Sequence, residues 1–451
     1  MTSPLGRLAE LTGEPAGELE RWIQLGLLAP PEAEEATACV VEQVRVFRLL
    51  RRRGFEIDVI AAAARSQPEL FIRYFEQIAV RPGELQTLEE AVRAHGLDLP
   101  MVRRMWEASG LAEQGEIGTD EDIQTLKAMA EAVQAGLPEE ALAQLVRVYA
   151  DATARIAEAE TRVFHFQVHE RLRAEGHAGA ELSEITATAL ERLQPLIDPA
   201  LLYFHRKALT RAVREDLALH LAEEVELLPP GDTSGRLPLA VVFVDLAHFT
   251  SMTEAMGDLA AARVLDRFSQ LARRAALSAG GRVVKQIGDE FMLVFPDAAG
   301  AVSAALEIRA AAAKEPAFLA TRIGVHYGPV LAREGDYVGT TVNVAARVTA
   351  GAAAHQLLVS ANVRTEAAGL GGVTFMPVDT RSLEGISEQV ELFSVTPEGE
   401  HEPEARTVDP VCGMIIDPES RPVRLEVEGS ERVFCSERCL QRFVADPDRY
   451  R

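Results

Sequence analysis

The spacing of apolar and polar residues divides the chain into a helical first half and a mixed second half. Through residues 1–225, apolar side chains recur every three or four positions among many Ala, Leu, Glu and Arg residues, which predicts helices almost throughout. From about residue 237 onward, short β-rich runs alternate with helical stretches. The pattern therefore predicts an α+β multidomain protein whose N-terminal region is all-α.

The mixed region begins with an ordered series of elements. Apolar runs predict strands at Val241–Val244 and Ala320–His326, and helical spacing predicts helices over Ser251–Ser278 and near Ala298–Lys314. Between them, two β-rich halves around a Gly-Asp pair predict a hairpin over Arg282–Phe295. The resulting order is βαββαβ.

Two aspartates stand at the edges of these strands. Asp245 directly follows the first apolar run, and Asp289 lies at the turn of the hairpin. A carboxylate at such a place is costly unless a cation meets it. Two of them brought together by the fold predict a divalent-metal site, and hence phosphate chemistry on a nucleotide.

A helix cap or a turn is the alternative role for each aspartate. Capping is disfavoured for Asp245, because Ser251–Glu254 fits a capping box and we expect Thr250 or Ser251 to cap the next helix. A turn would explain Asp289, but it would not explain both aspartates.

A third stretch, Asp336–Val348, carries Asn343 and Arg347 four residues apart, so that on a helix they share a face. This stretch, Arg322–Gly328 and the runs around the two aspartates resemble the class III nucleotidyl cyclases over about residues 237–395. Diguanylate cyclases carry a similar Gly-Asp-Glu-Phe turn on a related fold but lack the helix with Asn343 and Arg347. The resemblance implies a ferredoxin-like catalytic domain.

The resemblance also implies an active site shared head to tail between two copies of the chain. By similarity, Asp245, Leu246 and Asp289 of one copy hold two Mg²⁺ or Mn²⁺ ions, which can stabilise both oxygens of an in-line displacement. The other copy supplies Asn343 to orient the ribose and Arg347 to offset charge on the phosphorus. A homodimer is therefore the implied assembly.

The nucleotide's phosphates and base have their own implied residues. The backbone N–H groups around Phe249 and Thr250 open a helix, which suits phosphate. Lys285 and Asp336 match the positions that select adenine in the family, where guanine-specific members typically carry Glu and Cys or a similar pair. A solvated strand lysine is the alternative for Lys285. The resemblance thus implies an adenylate cyclase that converts ATP to 3′,5′-cyclic AMP and pyrophosphate.

Three positions depart from the family pattern. His248 stands where a Gly usually precedes the phosphate-binding helix, and we expect it to stiffen that loop. Pro329 replaces a frequent basic residue, and Glu384 stands where many members have a Lys for the triphosphate. Glu384 would repel the phosphates unless Arg347 or Arg381 compensates. A nucleotide-binding sensor of low catalytic power is the alternative.

Composition narrows the function classes further. A formal net charge of −23 and a pI near 5.0 disfavour nucleic acid as the main partner. No apolar run of about 18 residues predicts a membrane helix, and no cationic and apolar leader is evident. Four cysteines in 451 residues fit a reducing compartment. We therefore expect a cytoplasmic protein without a membrane partner.

The helical half contains an internal repeat. Trp22–Leu27 matches Trp106–Leu111 around the only two tryptophans, which predicts helical repeats at 1–82 and 83–157. The first copy resembles the helix-turn-helix of MerR-type regulators. Its recognition helix, about Pro15–Leu25, is net negative, whereas a DNA-reading helix needs positive charge. A regulatory or dimerising role is therefore favoured over DNA binding.

Residues 158–235 are expected to couple the helical half to the catalytic domain. Asp198–Lys207 resembles a segment of the pH-sensing regulatory domain of actinobacterial adenylate cyclases. Most of the ten histidines precede residue 225, and His165 and His169 lie one helical turn apart. Histidine titrates near neutral pH, so control by pH is predicted. Ordinary surface or core histidines are the alternative, and a small ligand in the helical region stays open.

The tail is a separate module. After the catalytic domain at 236–397 and an acidic linker at 398–407, residues 408–451 resemble the YHS domain, a small treble-clef-like module. A core of that size usually needs a metal or a crosslink.

Three cysteines of the tail form a candidate second metal site. Cys412, Cys435 and Cys439 offer soft thiolates, which favour Zn²⁺ or Cu⁺. Three ligands are one short of a closed zinc site, so Asp409, a partner chain or an open position would be the fourth. Buried, unligated thiols are the alternative.

Overall fold

Two units make up the chain, Met1–Leu219 and His220–Arg451, in a computed structural model. The residues that it describes are 3–30, 38–68, 71–72, 75, 86–110, 117–118, 120–225, 236–315, 318–382, 389–400, 407–416, 421–427 and 430–450. Within them, no helix combines the length and the apolar character that crossing a bilayer would require.

The first unit is helical, as the sequence pattern predicts. Its helices are α1 (Pro4–Thr12), α2 (Ala16–Gln24), α3 (Ala38–Arg52), α4 (Ile57–Ser66), α5 (Leu88–His95), α6 (Leu99–Ala108), α7 (Asp120–Gln134), α8 (Glu139–Phe164), α9 (Glu170–Ala174) and α10 (Gly179–Glu224). Two short strands, β1 (Gln86–Thr87) and β2 (Ile117–Gly118), pair antiparallel. A π-helical turn at His165–His169 joins α8 to α9.

The two tryptophans of the internal repeat lie in separate apolar cores. Trp22 is fully buried and meets Phe47 edge to face, with ring centroids 6.0 Å apart. Trp106 is buried with Met105 and Leu142 in the second core. Each tryptophan is therefore the largest apolar side chain of its own helical cluster. The likeness of these clusters to MerR-type helix-turn-helix domains stays a prediction.

The second unit is organised by an eight-stranded sheet in the order β4-β5-β3-β6-β8-β10-β9, with β7 paired to β6. Its strands are β3 (Arg236–Leu246), β4 (Arg282–Ile287), β5 (Glu290–Phe295), β6 (Thr321–Arg333), β7 (Asp336–Val338), β8 (Leu357–Ser360), β9 (Val373–Ser382) and β10 (Gln389–Pro397). Its helices are α11 (Phe249–Met256), α12 (Asp258–Ser278), α13 (Ala298–Lys314), α14 (Thr340–Ala350) and α15 (Ala361–Glu366). The predicted βαββαβ order from β3 to β6 is confirmed.

The predicted single helix over Ser251–Ser278 is wrong. The chain forms α11 and α12 instead, separated by Gly257 with φ 87°. This backbone conformation ends one helix and begins the next, and glycine adopts it at little cost. The helix also begins earlier than predicted, at Phe249, two residues before the expected start at Ser251.

The two central strands are longer than their apolar runs indicate. β3 and β6 pair antiparallel from Arg236 opposite Leu331 to Leu246 opposite Thr321. The ladder extends past the apolar segments because backbone pairing does not require apolar side chains at exposed ends. The hairpin of β4 and β5 and the helix α13 lie where the sequence predicts them.

Different helices cover the two faces of the sheet. On one face, Phe268 of α12 meets Phe291 of β5 edge to face at 5.1 Å. On the other, Val342 of α14 packs with Val241 and neighbouring strand residues. Side chains alternate along a strand, so Asp245 falls on the face of β3 that α14 covers.

The tail contains a hairpin, a helix and a 3₁₀ turn. They are β11 (Val423–Val427), β12 (Ser430–Phe434), α16 (Glu437–Ala445) and Pro447–Tyr450. Phe434 and Phe443 meet at 5.2 Å and belong to the same apolar core as the catalytic sheet. The tail thus packs directly on the catalytic domain rather than forming a core of its own.

Candidate active site and thiol cluster

The two predicted metal ligands lie side by side. Asp245 stands at the end of β3, and Asp289 forms the turn between β4 and β5. Val244 pairs with Phe291, which brings that turn next to the end of β3. Leu246 follows in the buried core, so only its carbonyl oxygen could serve as a ligand.

The charges of this pair repel one another. Burial raises the pKa of Asp289 to about 6, with further contributions from the charge of Asp245 and from a hydrogen bond to it. Burial and the charge of Asp245 also raise the pKa of Glu290. Crowded carboxylates with raised pKa values fit a divalent cation, which prefers oxygen ligands and would offset their charge.

Arg322 was not assigned a role from the sequence, yet it contacts this site. It pairs with Asp245 across the β3–β6 ladder, and its charge lowers the pKa of Asp289. Its Nε is buried without a hydrogen-bond partner among the described residues. Arg322 therefore supplies the positive charge next to Asp245 in this structure. The signal in the sequence was an Arg opening an otherwise apolar strand.

The phosphate-binding helix begins in an unexpected way. Neither Thr250 nor Ser251 caps it; the N-cap is His248, with φ 65° and no side-chain capping bond. This left-handed backbone turns the chain into α11 early, which displaces the capping box into the helix. Phe249 and Thr250 then occupy the first turn of α11, where backbone N–H groups lack helical partners.

The two predicted adenine-selecting residues contact one another. Lys285 on β4 forms an ion pair with Asp336 at the start of β7. Both side chains are about one-third exposed, at 35% and 36%, so a base could reach them. The N–H of Tyr337 donates to the second carboxylate oxygen of Asp336 at 2.7 Å, and the Tyr337 hydroxyl accepts from Arg282 at 2.8 Å.

Asn343 and Arg347 share the outer face of α14, as their spacing predicts. Both are exposed, whereas Val344 and Val348 of the same helix are buried. The end of this helix is held by Arg381, whose Nη1 donates to the carbonyl of Gly351 at 2.9 Å.

Of the three departures from the family pattern, His248 has been placed above, Pro329 can also be placed, and Glu384 cannot. Arg381, which was offered as compensation for Glu384, is paired with both carboxylate oxygens of Asp379, at 2.9 and 3.0 Å. Pro329 is exposed on β6, and its carbonyl accepts from Thr341 at 2.7 Å. Glu384 lies outside the described residues.

The three tail cysteines form one cluster together with Asp409. The sulfurs of Cys412 and Cys435 are 3.5 Å apart, and those of Cys435 and Cys439 are 3.7 Å apart, too far for disulfides. The ligand atoms of all four residues lie within 4.8 Å of one another. Asp409 was one of the three options for the fourth ligand, and its carboxylate lies in this cluster.

Hydrogen bonds fix the Asp409 carboxylate. One oxygen accepts from the N–H groups of Val411 and Cys412 at 2.8 and 3.2 Å, and the other accepts from Cys435 at 2.7 Å. Burial raises the pKa of Asp409. Hydrogen bonds from Cys412 and Cys435 lower the pKa of Cys439 to about 4, which favours one thiolate. The donor set suits a soft, positively charged metal ion.

Two known family models match parts of the chain. Residues 236–396 match the model of the adenylate and guanylate cyclase catalytic domain, and residues 407–451 match the YHS domain.

Individual relatives extend the comparison. An adenylate cyclase of Streptomyces coelicolor is 31% identical over 60% of this chain and 68% of its own length. A pH-sensitive adenylate cyclase of Mycobacterium tuberculosis is 26% identical over 78% of this chain and 88% of its own length. The 78% of this chain that aligns is more than the part from residue 236 to the end, so the alignment reaches into the helical half.

Among solved structures, the adenylyl cyclase CyaB of P. aeruginosa is 23% identical, covers 37% of this chain and 97% of that chain, and has a TM-score of 0.33.

The chain belongs to the class III adenylate and guanylate cyclase family, and it carries a C-terminal YHS domain.

Proposed function

We propose that the chain is an adenylate cyclase that works as a homodimer and converts ATP to 3′,5′-cyclic AMP and pyrophosphate. The observation that carries the proposal is the pair of crowded carboxylates, Asp245 and Asp289, at the end of β3. The adenine preference is supported by the ion pair of Lys285 and Asp336 and by the relatives' names.

The reaction requires one bond to form and one to break. The ribose 3′-oxygen attacks the α-phosphorus, loses its proton, and displaces pyrophosphate. Two Mg²⁺ or Mn²⁺ ions held by Asp245 and Asp289 would supply positive charge at the attacking oxygen and the triphosphate. Backbone N–H groups at Phe249 and Thr250 would bind phosphate oxygens.

The base and the ribose would be held by separate groups. Lys285 donates to a ring acceptor of adenine, and Asp336 accepts from its exocyclic amine, once the base replaces their mutual ion pair. Asn343 orients the ribose, and Arg347 offsets the charge that develops on the phosphorus.

The homodimer is proposed because the proposed catalytic groups fall into two sets, the carboxylates at the end of β3 and the side chains on the outer face of α14. Asn343 and Arg347 project from the outer face of α14, away from the core of their own domain. A second copy placed head to tail would bring them to the carboxylates of its partner. The dimer thus completes two equivalent sites.

The test is direct. Purified full-length protein is incubated with ATP or GTP in the presence of Mn²⁺ or Mg²⁺, and cyclic nucleotides are quantified. Cyclic AMP from ATP, greatly exceeding cyclic GMP from GTP, is expected. Nucleotide binding without turnover would favour the sensor, and preferred use of GTP would contradict the assignment of Lys285 and Asp336.

Control by pH through the helical half is the regulatory part of the proposal. The rings of His165 and His169 stack 5.3 Å apart in the π-helical turn. Histidine is the side chain that changes charge near neutral pH, and two like charges this close together would disfavour such a turn. Glu170 lies 3.7 Å from His165, with Arg173 on its other side, and Thr186 approaches His169 at 3.4 Å.

Replacing both stacked histidines tests this part. The variant His165→Gln/His169→Gln should flatten the dependence of cyclic AMP formation on pH. The matched control is His95→Gln, at the end of α5. An unchanged profile in the double variant would exclude the stacked pair as the switch.

DNA binding stays disfavoured on charge. Arg21 of α2 pairs with Asp58 at 2.9 Å, and Arg51 lies 3.2 Å from Glu14 and 3.6 Å from Glu18. Arg21 and Arg51, two cations at the predicted recognition helix, are therefore already paired with carboxylates. We expect no shift of random duplex DNA in a gel at low salt.

A further inference from the structure

The thiol cluster of the tail adjoins the phosphate-binding loop. Gly413 directly follows Cys412 and lies against the side chain of His248, the N-cap of α11. A Cβ atom built on Gly413 would lie 2.8 Å from Cγ of His248, closer than real Cβ atoms approach, and 3.1 Å from Cδ2. Gly413 also has φ 70°, so glycine serves both the turn and the contact.

A second connection joins the tail segment that follows Cys412 to the catalytic domain. The N–H of Ile415 donates to the carbonyl of Phe318 at 3.1 Å, and Met414 forms an antiparallel bridge with Leu319. One residue further along, the carbonyl of Ala320 accepts from the N–H of Ala247 at 2.7 Å. The backbone next to the thiols is thus joined in two steps to the residue that precedes His248.

His248 is a sensitive place for such contacts. It holds a left-handed backbone that non-glycine residues seldom adopt, and its side chain makes no capping bond. Its dihedral angles set the direction in which the first N–H groups of α11 point. A neighbour that restrains His248 therefore restrains the phosphate cradle.

The dimensions of the cluster suit a metal ion. Zn–S bonds of about 2.3 Å in a tetrahedron place neighbouring sulfurs about 3.8 Å apart. The two measured separations, 3.5 Å between Cys412 and Cys435 and 3.7 Å between Cys435 and Cys439, are close to that value. Asp409 offers a fourth donor within 4.8 Å of the sulfurs. Cys412, Cys439 and Asp409 are almost fully buried, which suits a structural ion.

We propose that a thiophilic d¹⁰ cation, Zn²⁺ or Cu⁺, binds Asp409, Cys412, Cys435 and Cys439 and thereby controls the phosphate-binding loop through the contact of Gly413 with His248. With the ion bound, the Asp409–Met414 loop is rigid and holds His248 in place. Without it, the loop loosens and the start of α11 is less well ordered. The consequence for cyclic AMP formation rests on the proposed function.

The experiment compares full-length protein with and without the tail ion. Metal is removed with a thiol-competing chelator and restored with one equivalent of Zn²⁺ or Cu⁺, and bound metal is measured by elemental analysis. Hydrogen–deuterium exchange of the backbone around residues 247–253 reports the loop, and the KM for ATP reports the site. Restoring the ion should slow exchange there and lower KM about tenfold.

Matched variants separate the steps. Cys435→Ser should abolish uptake, whereas Cys39→Ser, in α3, should leave it unchanged. His248→Gly keeps the required φ accessible but removes the contacting side chain, so the ion should bind and slow exchange of the loop less than in the native chain. Asp409→Asn should weaken Zn²⁺ more than Cu⁺, because Cu⁺ can be held by thiolates alone.

The outcomes distinguish this inference from the proposed function. Failure to bind one equivalent of either ion, or binding that leaves exchange at 247–253 unchanged in the native chain, would overturn the inference. An exchange response in His248→Gly equal to that of the native chain would also overturn it. Slowed exchange in a protein that forms no cyclic AMP would support the coupling and contradict the cyclase assignment.

Discussion

The two candidate metal sites of the second unit differ in chemistry and in enclosure. Asp245 at the end of β3 and Asp289 in the neighbouring turn offer hard oxygens, and both residues are partly exposed. Cys412 and Cys439 offer soft sulfurs that are fully buried. Oxygen ligands suit Mg²⁺ or Mn²⁺, and thiolates suit Zn²⁺ or Cu⁺. The two clusters therefore suit different classes of metal ion.

The largest expected effect comes from removing a hard ligand. Asp245→Asn should lower kcat for cyclic AMP by about 10³-fold, because the charge that binds the metal ions is lost. Uptake of the tail ion should not change. The control is Asp379→Asn, which removes a carboxylate of β9 paired with Arg381. Near-native turnover by Asp245→Asn would remove Asp245 from the metal site.

The next largest effect is on stability: thermal or denaturant unfolding should distinguish the two metal sites by how much each ion stabilises the folded chain. Zn²⁺ at a hundred times its Kd should stabilise the native chain by about 2.7 kcal/mol, as any ligand specific to the folded state does. Mg²⁺ at a concentration that saturates the cyclase reaction should stabilise far less in the absence of nucleotide. Equal stabilisation of Cys435→Ser by Zn²⁺ would place the zinc elsewhere.

A smaller effect is expected where neither metal binds. Lys285→Glu/Asp336→Cys should change the ratio of kcat/KM for ATP to that for GTP by about 30-fold toward GTP, since one charge-assisted hydrogen bond is exchanged. Zn²⁺ uptake and the requirement for Mg²⁺ should both persist. An unchanged preference would show that this ion pair does not select the base.

The smallest expected effect is the dependence on pH of metal affinity at the site of Asp245 and Asp289. Because burial and Asp245 raise the pKa of Asp289 to about 6, a proton competes with the divalent ion below that pH. The apparent Kd for Mn²⁺ should rise about tenfold for each pH unit below 6 and level off above it. Titration of Mn²⁺ binding at several pH values measures this, with Asp289→Asn expected to remove the pH dependence along with most of the affinity. A flat profile in the native chain would contradict competition between a proton and the metal ion at Asp289.

The sequence predicts the catalytic core well because its signals are local. The apolar runs, the hairpin around Asp289 and the helix with Asn343 each depend on neighbouring residues. The family resemblance implied that Lys285 and Asp336 both select adenine; their mutual ion pair was not predicted and is seen only in the fold. By contrast, Arg322 acquires its role only when β6 pairs with β3, and no local pattern records that pairing.

Backbone conformation explains where the predicted and observed helix boundaries differ. The capping box at Ser251–Glu254 gave a plausible helix start, but the left-handed backbone of His248 begins the helix sooner. Gly257 breaks the long helical pattern at a residue that a helix interior also tolerates at modest cost. The contact between Gly413 and His248 joins residues far apart in sequence, so only the folded unit shows it.

The central claim is that one active site needs two chains, and mixing two inactive variants tests it most directly. Asp245→Ala and Asn343→Ala should each lose almost all cyclic AMP formation. In a mixed dimer, one of the two sites keeps both the native carboxylate and the native asparagine. Equal mixing should therefore restore about a quarter of native activity, since half of randomly paired dimers are mixed. No recovery, with mixed dimers demonstrated by native mass spectrometry, would contradict the shared site.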